Sequence, residues 1–448
     1  MTTTPTAPLD ESELERSLRP FGQSTMLPAT AYTDSGVLAW ERRHFFAESW
    51  PCVGRVEDLA VDDAGRPVTQ RALVVGDIAV LVTVERGAEG ETVRAFANTC
   101  RHRGHEVLPE GCTGTKRALT CPYHAWSYDL AGKVIVAPGF DGVPTFDKAD
   151  FGLVELPCAT WHGWVFVNAT ATAAPFEEHL GALDTLVAPY APGELVRGAR
   201  HTYEIAANWK IISENYHECY HCPLIHPELC QVSPPTSGAN YDLPGAWVGG
   251  VMDLAPDAET MSLDGRSDGV FLPDVDPRKV HYLGLFPNLL VSLHPDYVMT
   301  HRLLPLAPDR TWVECSWYFA SSGVDPTYAV DFWDVTNRQD FAACESVQRG
   351  LASPHFRPGP FAPNEDAVHR WVSLLGRGYL GRPAHQPALW LRPTGPQHAA
   401  AARPRPVAAP RAHGRRGPPQ SATRGARSAP TPPPRRRPPR RTGPAPVR

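Results

Sequence analysis

Two short segments constrain this chain more than any other feature. They are Cys100-Arg101-His102 and, after eighteen further residues, Cys121-Pro122-Tyr123-His124. Each offers one thiol and one imidazole, so the pattern C-x-H…C-x-x-H can bind metal as a unit only if two separate loops meet. The neighbouring sequence supplies loops. Arg71 to Val75, Ile78 to Val84 and Thr92 to Ala97 are short runs rich in β-branched residues, divided by Gly-Asp and Gly-Ala-Glu-Gly-Glu turns. They predict a small antiparallel β domain with hairpins, and the four ligand-type residues fall on two hairpin tips. Two metal assignments compete. A zinc site would gather all four around one ion, but zinc fingers usually pair like with like, C-x-x-C with H-x₃₋₅-H. Two thiolates on one iron and two imidazoles on the other make the Rieske [2Fe–2S] arrangement, which the mixed halves fit. Imidazole in place of thiolate leaves such a cluster less negative and raises its potential.

A second constellation fills Asn208 to Glu228, NWKIISENYHECYHCPLIHPE. Asn208 is a plausible N-cap, and Ile211, Ile212, Asn215 and Cys219 fall near one helical face. Glu218 and His221 are three apart, which makes them surface neighbours on a helix. His221 and His226 are five apart, about 140° around a regular helix, and reach one ion only if the helix distorts or ends between them. Pro223 lies in that gap and predicts the break. Two imidazoles with a carboxylate suit iron(II) with open positions left for oxygen and substrate. The competing reading of the same residues is a His-rich helix end facing solvent.

CRHRG followed by CPYHAWSYDLAG resembles the cluster-binding motif of the Rieske non-heme iron oxygenases, the ring-hydroxylating oxygenase family. TWHGWVFVN, Thr160 to Asn168, resembles the closing strand of that family's Rieske domain, and NWK…EN…E-x-Y-H-x₄-H its catalytic iron helix. The likeness covers roughly Thr33 to Leu380. It implies Cys100, His102, Cys121 and His124 as cluster ligands and His221 and His226 as iron ligands. Ala329 to Arg349 reads as a helix that resembles the family's D-x₄-E-x-x-Q pattern through Asp340, Glu345 and Gln348. Asp340 is therefore the expected third ligand, with Asp331 and Asp334 as alternatives. Glu218 and Asn215 are the expected catalytic residues beside the metal, Glu218 as a bridge to a cluster ligand of a neighbouring subunit. Glu218 stands where the family often has Asp. That departure, with ECYHC, HPELC and FWDVTNRQD, resembles the branch acting on quaternary ammonium compounds such as glycine betaine, carnitine and stachydrine. An aromatic ring-hydroxylating dioxygenase alpha subunit is the alternative. A quaternary ammonium is recognised by aromatic faces and carboxylates, and Trp247, Tyr282, Phe286 and Tyr297 are the expected cage.

The expected fold is α+β. It comprises a flexible N-terminus (1–32), an antiparallel β Rieske domain with an N-terminal helix (33–172), and an α+β catalytic domain (173–380). In the catalytic domain a curved antiparallel sheet, over Tyr282–Leu285, Leu289–Leu293, Val298–Leu306 and Thr311–Phe319, is flanked by helices. The tail, 381–448, has fifteen Arg and seventeen Pro in 68 residues and no acidic residue, so it is expected to be disordered. All 48 acidic residues and 28 of the 43 basic ones precede it. Its abrupt composition suggests a frameshift product more than a nucleic-acid-binding arm.

No apolar run is long enough for a transmembrane helix, and the first residues lack the pattern of a signal peptide, so a cytoplasmic protein is expected. The Cys219-x-x-Cys222 pair then reads as small packing groups. With no G-x-G-x-x-G fingerprint, electrons from NAD(P)H should come through a separate flavin/iron-sulfur reductase. The family likeness implies a homotrimer, with no membrane or nucleic-acid partner.

Overall fold

A computed structural model describes residues 6–88 and 90–382. The expected tail lies outside them, apart from Gly381 and Arg382. The β-branched runs form the predicted hairpins. A five-stranded antiparallel sheet has the order Thr113–Gly114, Gln70–Val75, Ile78–Gly87, Gly90–Ala97, Glu155–Leu156. A three-stranded sheet, Ala118–Thr120, Ser127–Asp129, Val134–Val136, carries the second cluster loop at the bend between its first two strands. Thr160 to Asn168 is not one strand as expected. His162 and Gly163 take φ of 46° and 85°, a two-residue turn with positive φ at both centres, and Trp161 pairs with Trp164 across a tight hairpin.

The catalytic half is organised on a seven-stranded antiparallel sheet. Its order is Val196–Ile205, Arg310–Phe319, Tyr297–Ala307, Leu289–Leu293, Lys279–Leu285, Trp247–Asp253, Ala239–Asn240. Its central strands are buried at most positions, polar ones such as Thr300, His301 and Ser316 included, because both faces are covered. Successive side chains alternate between faces. Leu290, Met299, Val313 and Trp317 join the core beneath the helices. Leu289, Val291, Val298 and Tyr318 pack with Trp161, Trp164 and Phe166 of the cluster-bearing half. The long helix Thr327–Leu351 covers the predicted Ala329–Arg349, and the stretch from Asn364 to Leu375, which also reads as helical, falls largely in the helix Asp366–Tyr379.

The expectation of a flexible N-terminus is corrected. From residue 6 onward this segment is built into the catalytic core. Asp10 caps a helix over Glu11–Ser17, Leu14, Leu27 and Tyr32 are buried, and the Ala7 N–H donates to the Tyr379 carbonyl at 2.9 Å. The helix Ser35–Glu41 continues through a π-helical stretch, Arg42–Ala47. It buries Leu38, Phe45 and Phe46 in the same core as Trp209 and Trp371. The contacts of Leu14, Leu27 and Tyr32 are non-local, and nothing in the periodicity of the first 32 residues announces them. No helix among the described residues is long and apolar enough to cross a membrane.

Candidate active site and metal centres

The helix Trp209–Tyr216 starts as its sequence predicts, with the Asn208 side chain accepting from the Lys210 N–H at 3.1 Å. A buried network then holds it in place. Glu41 accepts from Lys210 Nζ at 2.6 Å, from Trp209 Nε1 at 2.8 Å and from the Tyr379 hydroxyl. Burial lowers the Lys210 pKa, with the Glu41 charge opposing. Glu214 turns away from the cavity and accepts from the Tyr32 hydroxyl at 2.7 Å. Burial raises its pKa to about 7 against the Tyr32 bond and the Lys210 charge. The Asn208 N–H donates to Gln348 and the Ala206 N–H to Glu345. Two members of the D-x₄-E-x-x-Q pattern thus dock the long helix against the start of this one.

The helix ends at Tyr216 with His217 as its C-cap, seven residues before Pro223, where the break was expected. Glu218 and His221 are therefore not helix neighbours but lie in the turn that follows. Glu218 nonetheless meets His221, because its carboxylate accepts from the Tyr220 and His221 N–H groups and from His221 Nδ1. Pro223 sits in the first turn of a new short helix, Cys222–Ile225, where a missing N–H costs nothing. His226 closes that helix. Cys219 and Cys222, expected as packing groups, are joined in a disulfide across this reversal, with Cα atoms 4.9 Å apart.

The reversal brings His221 and His226 together, and the long helix delivers Asp340 to them. His226 Nε2 lies 2.8 Å and His221 Nε2 3.2 Å from Asp340 Oδ1, and the two Nε2 atoms are 3.1 Å apart. All three potential ligand atoms fall within 4.8 Å of one another. The far side of each imidazole is engaged too. His221 Nδ1–H donates to Glu218, and His226 Nδ1–H donates to Gln339 Oε1 at 2.7 Å. In the neutral rings that a metal would require, these contacts favour the proton on Nδ1 and leave the Nε2 lone pair for the shared point. Burial alone would lower the His221 pKa, yet the Asp340 and Glu218 carboxylates hold it up at about 10. Burial would raise that of Asp340, and the two imidazoles bring it down to about 2. Three groups that must share protons to coexist are chemically suited to a divalent cation. Asp334, an alternative third ligand, instead accepts from the Tyr203 hydroxyl and from Arg338.

Asn215, Glu218, His221, His226 and Asp340 all line one cavity of about 320 Å³. Of the expected cage only Tyr282 lines it. Trp247 packs on the opposite face of the sheet, Phe286 lies in the core against Phe45, and the Tyr297 hydroxyl is occupied by the Met261 carbonyl and Trp333 Nε1. The aromatic lining is instead Tyr216, Tyr282 and Trp333, with ring centroids 6.0 Å and 6.2 Å apart in succession. Tyr216 and Trp333 lay inside quoted motifs, but helical spacing alone did not tell which of their faces looks inward. Gln339 was also missed; a long polar side chain beside a proposed ligand was the available signal.

In the β half, Cys100 and Cys121 are buried side by side. The His102 and His124 rings lie 4.6 Å apart, with His102 stacked on Trp126. Buried His102 Nδ1 has no hydrogen-bond partner among the described residues. Cys100 Sγ lies 3.2 Å from the Tyr128 hydroxyl. A pair of adjacent thiols and a pair of adjacent imidazoles are the donor set a Rieske cluster would take.

Comparison with known proteins finds a match in each half of the chain. Residues 49–147 match the Rieske [2Fe-2S] domain, and residues 192–377 match the ring hydroxylating alpha subunit (catalytic domain). The glycine betaine monooxygenase oxygenase subunit of Chromohalobacter salexigens is 31% identical over 378 residues, covering 75% of this chain and 81% of that protein. The carnitine monooxygenase oxygenase subunit of Escherichia coli K12 is 31% identical over 338 residues, covering 74% and 85%. A quaternary ammonium Rieske monooxygenase solved with L-carnitine superposes with a TM-score of 0.63 at 25% identity, covering 83% of this chain and 99% of that one. The chain therefore belongs to the Rieske oxygenases with a ring-hydroxylating alpha-subunit catalytic domain, and it is an oxidoreductase.

Proposed function

We propose that this chain is the oxygenase component of a two-component Rieske non-heme iron monooxygenase. It hydroxylates an N-methyl carbon, or an adjacent carbon, of a quaternary ammonium compound, the class that includes glycine betaine. The observation that carries this reading is an aromatic trio and a two-histidine, one-carboxylate set in a single cavity. A quaternary ammonium has no N–H to donate and is held by ring faces and negative charge. Tyr216, Tyr282 and Trp333 offer the faces; Glu218, Asp340 and Asp366 offer the charge.

In this reading Cys100, His102, Cys121 and His124 hold the [2Fe–2S] cluster, and His221, His226 and Asp340 hold iron(II). When bound, the two groups supply electron storage and oxygen activation. The chain's residues bind and orient. The trio keeps the ammonium in the cavity that the three ligands share, while Glu218 and Gln339 keep the imidazole protons on Nδ1. One O2, two electrons and two protons are consumed; one oxygen atom enters a methyl C–H bond and the other leaves as water. The N-hydroxymethyl product then breaks its C–N bond to give formaldehyde, a proton and the tertiary amine. Electrons come from NAD(P)H through a separate flavin/iron-sulfur reductase. The working unit is a homotrimer in which Glu218 lies between the cluster of one subunit and the iron of the next. His124 is exposed, which suits such a hand-over.

The test is turnover of the metal-loaded protein with a reductase and a panel of methylated ammonium compounds. Formaldehyde should form one-for-one with NAD(P)H consumed. Glu218→Gln should keep both metals and slow product formation severely, because a charge-assisted contact to His221 is lost. Oxidation of naphthalene with no turnover of any methylated ammonium would replace this reading with the aromatic one.

A further inference from the structure

The turn that gathers the metal ligands holds a group that the proposed chemistry does not use. Cys219 follows Glu218, Cys222 follows His221, and a disulfide joins the two cysteines. Both line the cavity that holds His221, His226 and Asp340. The other eight cysteines among the described residues form no disulfide, so this link belongs to no wider framework. Where thiols are kept reduced, a solitary disulfide is usually transient and redox-responsive. A link spanning so few residues also removes little entropy from the unfolded chain, because that gain grows with loop length. It matters less to the fold as a whole than to the turn it closes.

The two ends of the link are held unequally. Cys222 is buried in the catalytic core and begins the helix Cys222–Ile225. Cys219 is half-buried, sits in the irregular turn and packs only at the edge of that core. Reduction replaces one bond by two thiols, whose sulfurs cannot remain at bonding distance. The side chain with room to move is Cys219, and the backbone that moves with it carries Glu218. The Glu218 carboxylate accepts from the Tyr220 and His221 N–H groups and from His221 Nδ1. The last of these contacts favours the proton on Nδ1 and leaves Nε2 for a metal.

We propose that Cys219 and Cys222 form a redox switch on the iron site: closed, the link holds Glu218 against His221 and iron is retained; open, it frees Glu218 and iron is lost more readily. This rests on the iron site proposed above and adds a control to it. Closure is a two-electron oxidation. The Cys219 thiol attacks hydrogen peroxide, the two-electron, two-proton reduction product of the O2 that the proposed reaction consumes, giving a sulfenic acid and one water; the Cys222 thiol then displaces a second water and forms the S–S bond. A dithiol reverses it by exchange: it attacks the accessible Cys219 sulfur, gives its two protons to the cysteines and leaves as its own disulfide. The site is thereby strongest where oxygen, the co-substrate, is plentiful.

The test uses the full-length protein with its cluster in place and its iron site emptied. One portion is reduced with tris(2-carboxyethyl)phosphine and freed of reagent without air; a second is treated alike and then closed with one equivalent of hydrogen peroxide. Alkylation and peptide mass count the thiols at Cys219 and Cys222, the visible spectrum of the cluster reports folding, and anaerobic competition against a chelator reads iron(II) affinity. The closed form should bind iron(II) about tenfold more tightly than the open form, the scale of other contacts that orient a ligating imidazole. Cys219→Ser combined with Cys222→Ser should bind at the open-form level whatever the treatment; if that variant loses its cluster spectrum, the two forms of the parent protein decide the question without it. Affinities within about twofold of each other, well inside the effect of such contacts, or tighter binding by the open form, overturn the switch and leave the iron site standing. A pair that the phosphine leaves closed, or that peroxide leaves open, overturns it too, as does a redox response that persists in the double variant. Failure of the closed, folded protein to bind iron(II) at all overturns the iron site and the switch together.

Discussion

Gln339 offers the sharpest test of how the proposed iron site is built. Its Oε1 accepts from His226 Nδ1 at 2.7 Å, and its Nε2 donates to Glu228 Oε2 at 3.2 Å. His226 is 1% exposed, so solvent cannot replace the lost acceptor. Gln339→Leu keeps the bulk and removes the acceptor. A buried N–H left unpaired costs about 1–3 kcal/mol. The imidazole can escape that cost by moving its proton to Nε2, which removes the lone pair the metal needs. Either way iron binding is penalised, and outer-shell partners of this type are worth about 10–100-fold in metal affinity. The expected loss is therefore about 1.4–2.8 kcal/mol. The assay is anaerobic competition for iron(II) against a chelator, with the visible spectrum of the Rieske cluster as an internal control for folding. A Gln339→Leu protein that binds iron within twofold of the parent would refute the argument that this amide sets the tautomer.

Three further outcomes follow from the contacts above. Asp340→Ala should lose mononuclear iron by metal analysis, while Asp334→Ala, which removes a partner of Tyr203 and Arg338, should keep it; the reverse result would displace the third ligand. Glu41→Ala strands a fully buried Lys210 and should cost about 3–5 kcal/mol in denaturant unfolding, with much of that recovered when Lys210→Met is added. A loss under about 1 kcal/mol would mean that the network is not what anchors the iron-bearing helix. Glu214 has its folded pKa raised from 4.5 to about 7, so the folded state holds the proton that the unfolded chain has released. Its contribution is full below pH 4.5 and is lost as pH rises to about 7; Glu214→Gln should flatten the fall in Tm across that window, and an unchanged slope would contradict it.

Period and spacing made much of the fold legible. Strands of alternating or continuous β-branched residues, the Asn208 cap and the two long C-terminal helices depend on neighbours within a few residues, and they stand close to where their local pattern placed them. The mixed Cys/His halves pointed to a Rieske site for the same reason: ligand chemistry is written in residue type and short spacing. The His221–His226 interval even required a break in the helix. It did not say where, because the break is decided by Glu218 gathering the Tyr220 and His221 N–H groups and by the Cys219–Cys222 link. Pro223, read as the breaker, proved to start the next helix.

What the sequence determined by itself, then, was the set of chemical groups and the elements that carry them. Which groups meet was decided only by the tertiary structure. Asp340 reaches the histidines from more than a hundred residues away, and Gln339 comes with it because both ride on one docked helix. Trp247 was lost to the cavity because its strand turns that position to the other face of the sheet, while Tyr216 and Trp333 were gained from helices whose inner faces are set by packing. The N-terminal segment, plain by its own composition, is ordered by burying Leu14, Leu27 and Tyr32 against a core formed by distant residues. Local pattern fixes periodicity and caps. Convergence depends on burying apolar faces against partners remote in the chain, and short-range sequence does not encode those partners.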